Sequence, residues 1–165
     1  MKLLVALPCY NEAEKIQKVI QEIPSSFEGI DERRILVVDD GSADETARLA
    51  HEAGAVVIRH KVNKGLGQTF RDAVEYAVVH GFDIMVNMDG DGQFNSQNIA
   101  DLIAPILHNE ADFVTGSRFM TGREIPHMPP IKRWGNDRMT NLISRLCRRK
   151  FTDVSCGFRA YSRET

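Results

Sequence analysis

Asp89-Gly90-Asp91 is the segment of the chain best suited to chemistry. Two carboxylates two residues apart, just past an apolar run, can both reach one hard divalent cation. Gly90 lets the backbone turn there and approach a ligand closely. Mg²⁺ or Mn²⁺ commonly takes one or two such carboxylates together with diphosphate oxygens. A second acidic cluster is Asp39-Asp40-Gly41-Ser42. Ser42 and Asp44 suit a helix start, which leaves Asp39 and Asp40 with no capping task. A carboxylate placed there can accept hydrogen bonds from the N–H groups of a nucleobase. Asp and Gly also favour ordinary turns, so position has to separate the two readings.

The elements that position these residues follow from apolar patterning. Lys2–Pro8 reads as a buried strand, followed by a helix with Asn11 as N-cap and Glu14 three residues on. Ile16, Val19, Ile20 and Ile23 form the stripe that such a helix lays on a sheet. Residues 35–38 are a second strand, and Ser42 with Glu45 repeats the capping pattern before a helix that stops at Gly54. Ala55–Arg59 is a third strand, and a helix runs from about Gly67 to His80. Phe82–Met88, Ser96–Asn109 and Asp112–Gly116 read as strand, helix and strand. This alternation implies right-handed βαβ units and a mainly parallel sheet. In such sheets ligands bind at the carboxyl ends of the strands. Those ends here are 8–12, 39–42, 64–65 and 89–93, an acid-rich rim that calls for a cation or hydrogen-bond donors. After Gly116 the rhythm breaks. Pro126, Pro129 and Pro130 mark 122–130 as a loop, and a basic helix over about 132–149 and a short terminal strand follow.

Composition narrows the classes. The chain has 165 residues, 42% apolar and 27% charged, which suits one globular core. No apolar run approaches the ~20 residues of a membrane span. The start, residues 1–7, has too short an apolar stretch for a signal peptide. Cys9, Cys147 and Cys156 form no CxxC pair, which suggests reduced thiols in an intracellular compartment. The net charge of −2 is a sum of unlike parts. Residues 1–117 hold 10 basic and 19 acidic residues, and residues 118–150 hold 9 basic and 2 acidic ones. Gly65-Leu66-Gly67 is no dinucleotide fingerprint, because Phe70 stands where the third glycine would be. A P-loop is absent, and the five histidines, His60 among them, lack metal-ligand spacing and suit ordinary surface or loop roles.

Six short motifs in order carry a family resemblance: Pro8-Cys9-Tyr10-Asn11-Glu12, residues 37–42, Asn63-Lys64-Gly65-Leu66-Gly67, Met88-Asp89-Gly90-Asp91-Gly92-Gln93, Gly116-Ser117-Arg118, and residues 155–161. The chain resembles family-2 glycosyltransferases, nearest the dolichyl-phosphate mannosyltransferase-like branch, which loads a sugar onto a polyisoprenyl phosphate. The resemblance implies a three-layer α/β/α nucleotide-diphospho-sugar transferase fold, GT-A and Rossmann-like, with a mainly parallel sheet. It implies that Pro8, Tyr10, Glu12 and Asp39 hold the nucleoside of the donor, with Asn11, Asp40, Lys64 and Gly90 completing the donor site. Asp89 and Asp91 would bind Mg²⁺ or Mn²⁺ and the diphosphate, with Gln93 helping. Arg118 matches the acceptor-side arginine, and Arg133 and Arg138 are further acceptor-phosphate candidates. Asp91, Arg118 and Asp153 are the candidate catalytic residues, and a hydrogen-bonding role is the alternative for Asp153. Two departures stand out. Phe94 and Asn95-Ser96 replace the family's usual His and following Pro. The chain is also shorter than family catalytic domains, as expected of one truncated domain: a donor and metal half at 1–117 and the start of an acceptor half at 118–165.

The implied reaction is metal-dependent, inverting transfer of a hexose from a nucleotide-diphospho-sugar (GDP or UDP) to a dolichyl or undecaprenyl phosphate. Such a phosphate is already ionised near neutral pH and needs no strong base, whereas a hydroxyl acceptor would. The basic helix has an apolar stripe of Met139, Leu142, Ile143, Leu146 and Cys147, with Trp134 a turn earlier. It can lie on a membrane surface, at the cytoplasmic face, or pack on the core with its arginines in solvent. Nucleic acid is disfavoured by the acidic first half and the scarcity of interleaved aromatics. The alternatives are transfer to a saccharide or lipid hydroxyl, a non-catalytic nucleotide-sugar-binding fragment, and a phosphatase using Asp89 as nucleophile.

Overall fold

Strand β1, Lys2–Cys9, is the axis of the molecule: Leu3 to Leu7 are all fully buried. A strand covered on both faces reads as a continuous apolar run, which is why its sequence shows no alternation. In the computed structural model, which describes residues 1–117, 130–148, 150–153 and 156–165 (for 130–133, 137 and 147 the backbone alone), six strands form one sheet. After β1 come α1 (Ile16–Glu22), β2 (Glu32–Asp39), α2 (Thr46–Glu52), β3 (Val56–Arg59), α3 (Leu66–Val79) and β4 (Ile84–Asn87). A 3₁₀ turn at Ser96–Asn98 then leads into α4 (Ile99–Leu107), β5 (Phe113–Thr115), α5 (Pro130–Cys147) and β6 (Arg159–Ser162).

The strand order is β3-β2-β1-β4-β6-β5. β3, β2, β1 and β4 are parallel, and β6 pairs antiparallel with both β4 and β5. The chain winds outward from β1 to β3, then crosses back to place β4 on the other side of β1. That reversal opens a crevice at the carboxyl ends of β1 and β4. The helices divide accordingly. Leu3, Val5 and Leu7 pack with residues of α1, α2 and α4 on one face, while Leu4, Ala6, Leu36 and Val38 pack with Ala73 and Ala77 of α3 on the other. The expected three layers and mainly parallel sheet are therefore present.

Two expected helix starts are corrected. α1 begins at Ile16 and α2 at Thr46, and neither has a side-chain cap at its first position. Asn11 sits at φ 56, a region Asn tolerates better than most residues, and does not cap α1. Its backbone N–H donates to Ser42 Oγ (2.9 Å) and its Oδ1 accepts from Ala43 N (2.9 Å). The two polar groups expected to cap helices instead fasten one loop to the other. The segment expected as a helix over 96–109 is the 3₁₀ turn plus α4, with Asn95 Oδ1 accepting from Gln97 N at the start (2.9 Å). Of the loop expected at 122–130, all but Pro130 lies outside the described residues.

Candidate active site

The register places the chemistry. Cys9 of β1 is the partner of Asp39 of β2, and Ala6 that of Asn87 of β4, so three acid-bearing loops leave adjacent strands at one edge. The first two loops are sewn together. Besides the Asn11 bonds, Glu12 N donates to Thr46 Oγ1 (2.8 Å) and Ala13 N to Asp44 Oδ2 (3.1 Å). Asn11 is thus a bracket between loops, while Tyr10 is left half exposed beside it and Pro8 lies partly buried in β1.

Asp39 is fully buried. Its Oδ1 accepts from Ser42 N (3.0 Å). Its Oδ2 lies 3.2 Å from Arg59 Nε, within ion-pair range but not aligned as a hydrogen bond, and accepts none. A buried carboxylate oxygen left in that state is costly. Asp40 is different, because both its oxygens are occupied. Oδ1 accepts from Lys64 N (2.8 Å) and meets His60 Nδ1 (2.7 Å), and Oδ2 accepts from Gly65 N (2.8 Å). Burial alone would raise its pKa, but these bonds together hold it below the usual carboxylate range. Lys64 therefore meets Asp40 through its backbone, with its side chain exposed.

The third loop carries Asp89, Gly90, Asp91 and Gln93. Asp91 Oδ1 accepts from Gln93 N (2.9 Å), closing a tight turn. Gly90 lies against Cys9, where a Cβ would overlap the sulfur. Asp89 lies over Gly157, where a Cβ would stand 2.5 Å from Oδ2. Asn87 Nδ2 donates to Gly157 O (3.0 Å) and so ties that backbone to the end of β4.

Electrostatics report the convergence. The Glu12 carboxyl is pushed up by burial, against Lys15 and aided by Asp91, Asp44 and Asp89. The buried Cys9 thiol is pushed up by burial and then by Glu12, Asp39, Asp89 and Asp91, so it is a neutral packing group and no nucleophile. Among the described residues no group of three or more His, Cys, Asp or Glu forms a metal cage. Hard oxygens from Asp89 and Asp91, with Gln93 alongside, fit an ion that takes its remaining ligands from diphosphate and water.

On the acceptor side, Arg118 lies outside the described residues, as does the side chain of Arg133. Arg138 is exposed, its guanidinium 5.2 Å from the Trp134 ring centre. Asp153 is buried, at 1% exposure. The surface or loop role expected for His60 is corrected, since the ring is buried between two carboxylates, and Asp72 was not singled out in the sequence. His60 Nε2 lies 2.6 Å from Asp72 Oδ2, so the ring joins the end of β2 to α3. The available signal was that His60 directly follows β3 at the same sheet edge as Asp40.

The fold is that of GT-A glycosyltransferases. The chain belongs to glycosyl transferase family 2, whose model matches residues 4–165. It is 29% identical over 178 residues to the UDP-N-acetylglucosamine–dolichyl-phosphate N-acetylglucosaminyltransferase of Methanococcus voltae, covering 98% of this chain and 69% of that one. It is 31% identical over 170 residues to the polyprenol monophosphomannose synthase of Mycolicibacterium smegmatis, covering 99% of this chain and 62% of that one. Among solved structures, glucosyl-3-phosphoglycerate synthase from Mycobacterium tuberculosis, in complex with Mn²⁺, UDP-glucose and glycerol 3-phosphate, superposes with a TM-score of 0.73 at 26% identity. That superposition covers 99% of this chain and 57% of the synthase. This chain therefore spans less than two thirds of the latter two proteins.

Proposed function

We propose that the protein transfers a hexose, with inversion, from a nucleotide-diphospho-sugar to a polyisoprenyl phosphate at a membrane surface, using Mg²⁺ or Mn²⁺. The observation that carries this reading is that the loops bearing Glu12, Asp39 and Asp89-Gly90-Asp91 leave β1, β2 and β4 at one sheet edge, where Gly90 lies against Cys9 and all four carboxylates push its thiol up. Carboxylates from three strand ends repel one another unless a cation and hydrogen-bond donors join them. The un-hydrogen-bonded Asp39 oxygen supports a nucleobase N–H as its partner, of guanine or uracil alike. Tyr10, Pro8 and Glu12 complete the nucleoside end, and Asp40 and Lys64 contribute by fixing the adjoining loop. Asp89 and Asp91, with Gln93, would hold the metal, whose chemistry is to neutralise charge developing on the departing nucleoside diphosphate.

The acceptor phosphate is already anionic near neutral pH, so its oxygen attacks the anomeric carbon as the bond to the diphosphate breaks. No side chain has to remove a proton. Arg118, Arg133 and Arg138 would bind that phosphate, and 118–165 would begin the acceptor half of a domain whose donor half is 1–117. α5 supports the membrane contact: Trp134 is 61% exposed and Leu146 74%, with Met139 and Leu142 also exposed. At its end, Ser144, Arg145, Arg148 and Lys150 line a shallow concavity of about 380 Å³ that suits anionic headgroups. No helix among the described residues is long and apolar enough to span a bilayer.

Radiolabelled transfer from GDP- and UDP-hexoses to a short polyprenyl phosphate tests the reading. Metal-dependent formation of a lipid-linked hexose is expected. Transfer only to glycerol 3-phosphate or to a saccharide hydroxyl contradicts the lipid acceptor.

A further inference from the structure

The proposed reaction uses neither His60 nor Asp72, yet both are built into one cluster, with His60 buried and Asp72 partly so. His60 meets Asp40 Oδ1 through Nδ1 (2.7 Å) and Asp72 Oδ2 through Nε2 (2.6 Å). A carboxylate on each ring nitrogen is satisfied only when both nitrogens carry protons, that is, when the ring is an imidazolium. Asp72 is held from its other side by Gln68 Nε2 (2.7 Å), which fixes the clamp to α3. Asp40 passes the clamp on to the loop after β3, because Lys64 N and Gly65 N donate to its two oxygens. That loop roofs the turn following Asp39. A Cβ on Gly41 would stand 2.7 Å from the Val62 carbonyl carbon and 2.9 Å from Asn63 N.

From this geometry we infer that His60 is a positioning residue: as an imidazolium it pins segment 61–65 over the nucleoside end of the donor site, so nucleotide affinity falls when His60 loses its proton. The inference rests on the donor-site reading above. The charged groups facing His60 are Asp40 from the end of β2, Asp72 from α3 and Lys64 from the loop. The bond to Asp40 raises the His60 pKa, burial opposes it, the Asp72 bond adds to it, and Lys64 lowers it, with a net rise. Loss of the proton turns a ring lone pair towards a carboxylate at hydrogen-bond distance, and the clamp loosens.

The test is calorimetric titration of UDP and of GDP, each with MgCl₂, from about pH 6 to about pH 9, the span across which a raised histidine titrates. Wild-type affinity for the preferred nucleotide is expected to fall about tenfold on the alkaline side, the order of one lost charge-assisted hydrogen bond. Asp72→Asn should move that fall to lower pH. His60→Gln should bind weakly with no dependence across the range. Nitrogen-15 NMR of the His60 ring in wild type and Asp72→Asn follows the proton directly, and decides the matter if His60→Gln does not fold. Wild-type binding whose pH profile is unmoved by Asp72→Asn, or a His60 ring neutral at pH 7, overturns this inference alone. Absence of nucleotide binding at every pH overturns the donor-site reading and this inference with it.

Discussion

Asp91 and Gly157 act on the same carboxylate loop in opposite ways, one by what it supplies and the other by what it leaves out. Asp91 is half-buried and its bond to Gln93 N is local, so Asp91→Ala should leave the melting temperature nearly unchanged. Its effect should appear in turnover, as a loss of about 10²- to 10³-fold, typical of removing one group that stabilises developing charge. Gly157→Ala adds a single methyl group 2.5 Å from Asp89 Oδ2. Displacing that carboxylate should cost about 1–3 kcal/mol of stability and weaken metal-dependent nucleotide binding together, measurable by melts and calorimetry on one preparation. These roles were unevenly legible in the sequence. Asp39, Asp89 and Asp91 are recognisable because they stand at or shortly past the end of an apolar strand. His60 was not, since its partners lie 20 and 12 residues away and only the folded sheet edge brings them together. Asn11 and Ser42 were misleading for the same reason: their polar groups could cap helices, but the fold joins them to each other.

At the scale of elements, the tie between the end of β2, His60 and α3 makes stability depend on pH in two directions. The His60 pKa lies above its ordinary value, so its contribution is whole below about pH 6.5 and is lost as pH rises through the raised value. Asp40 and Asp72 lie below the usual carboxylate range, so theirs is whole above the unfolded values and is lost as pH falls through the lowered ones. Thermal melts should therefore show a plateau between those limits, and Asp72→Asn should bring its alkaline edge to lower pH. α5 makes a separate prediction. Arg145 and Arg148 are exposed, so R145A/R148A should change stability by no more than about 0.5 kcal/mol. Sedimentation with phosphatidylserine vesicles should weaken by roughly 2 kcal/mol at low salt, about 1 for each cation removed. β1, β2 and β4 were legible because their apolar runs are unbroken where both faces are covered. β6 was expected only as a short terminal strand. Its insertion antiparallel between β4 and β5 depends on pairings such as Val86 with Ala160, which no local pattern encodes.

At the scale of the whole molecule, the small net charge joins an acidic part, which carries the strand-end carboxylates, to a basic part that includes α5. The central strand holds the arrangement together. Leu7 is fully buried two residues before Cys9, so Leu7→Ala should cost about 2–5 kcal/mol in denaturant unfolding and lower nucleotide affinity only as the fold is lost. In the proposed function, the sheet's reversal between β1 and β4 would let a nucleoside end and a metal end share one crevice. Isothermal titration of UDP-glucose and GDP-mannose, with and without Mn²⁺, shows whether nucleotide and metal bind in that one crevice. One of the two is expected to bind with Mn²⁺, removal of the metal to weaken binding at least about tenfold, and Asp91→Ala to abolish the metal effect. Equal binding without the metal, or an Asp91→Ala variant that responds to Mn²⁺ as wild type does, would contradict the shared crevice.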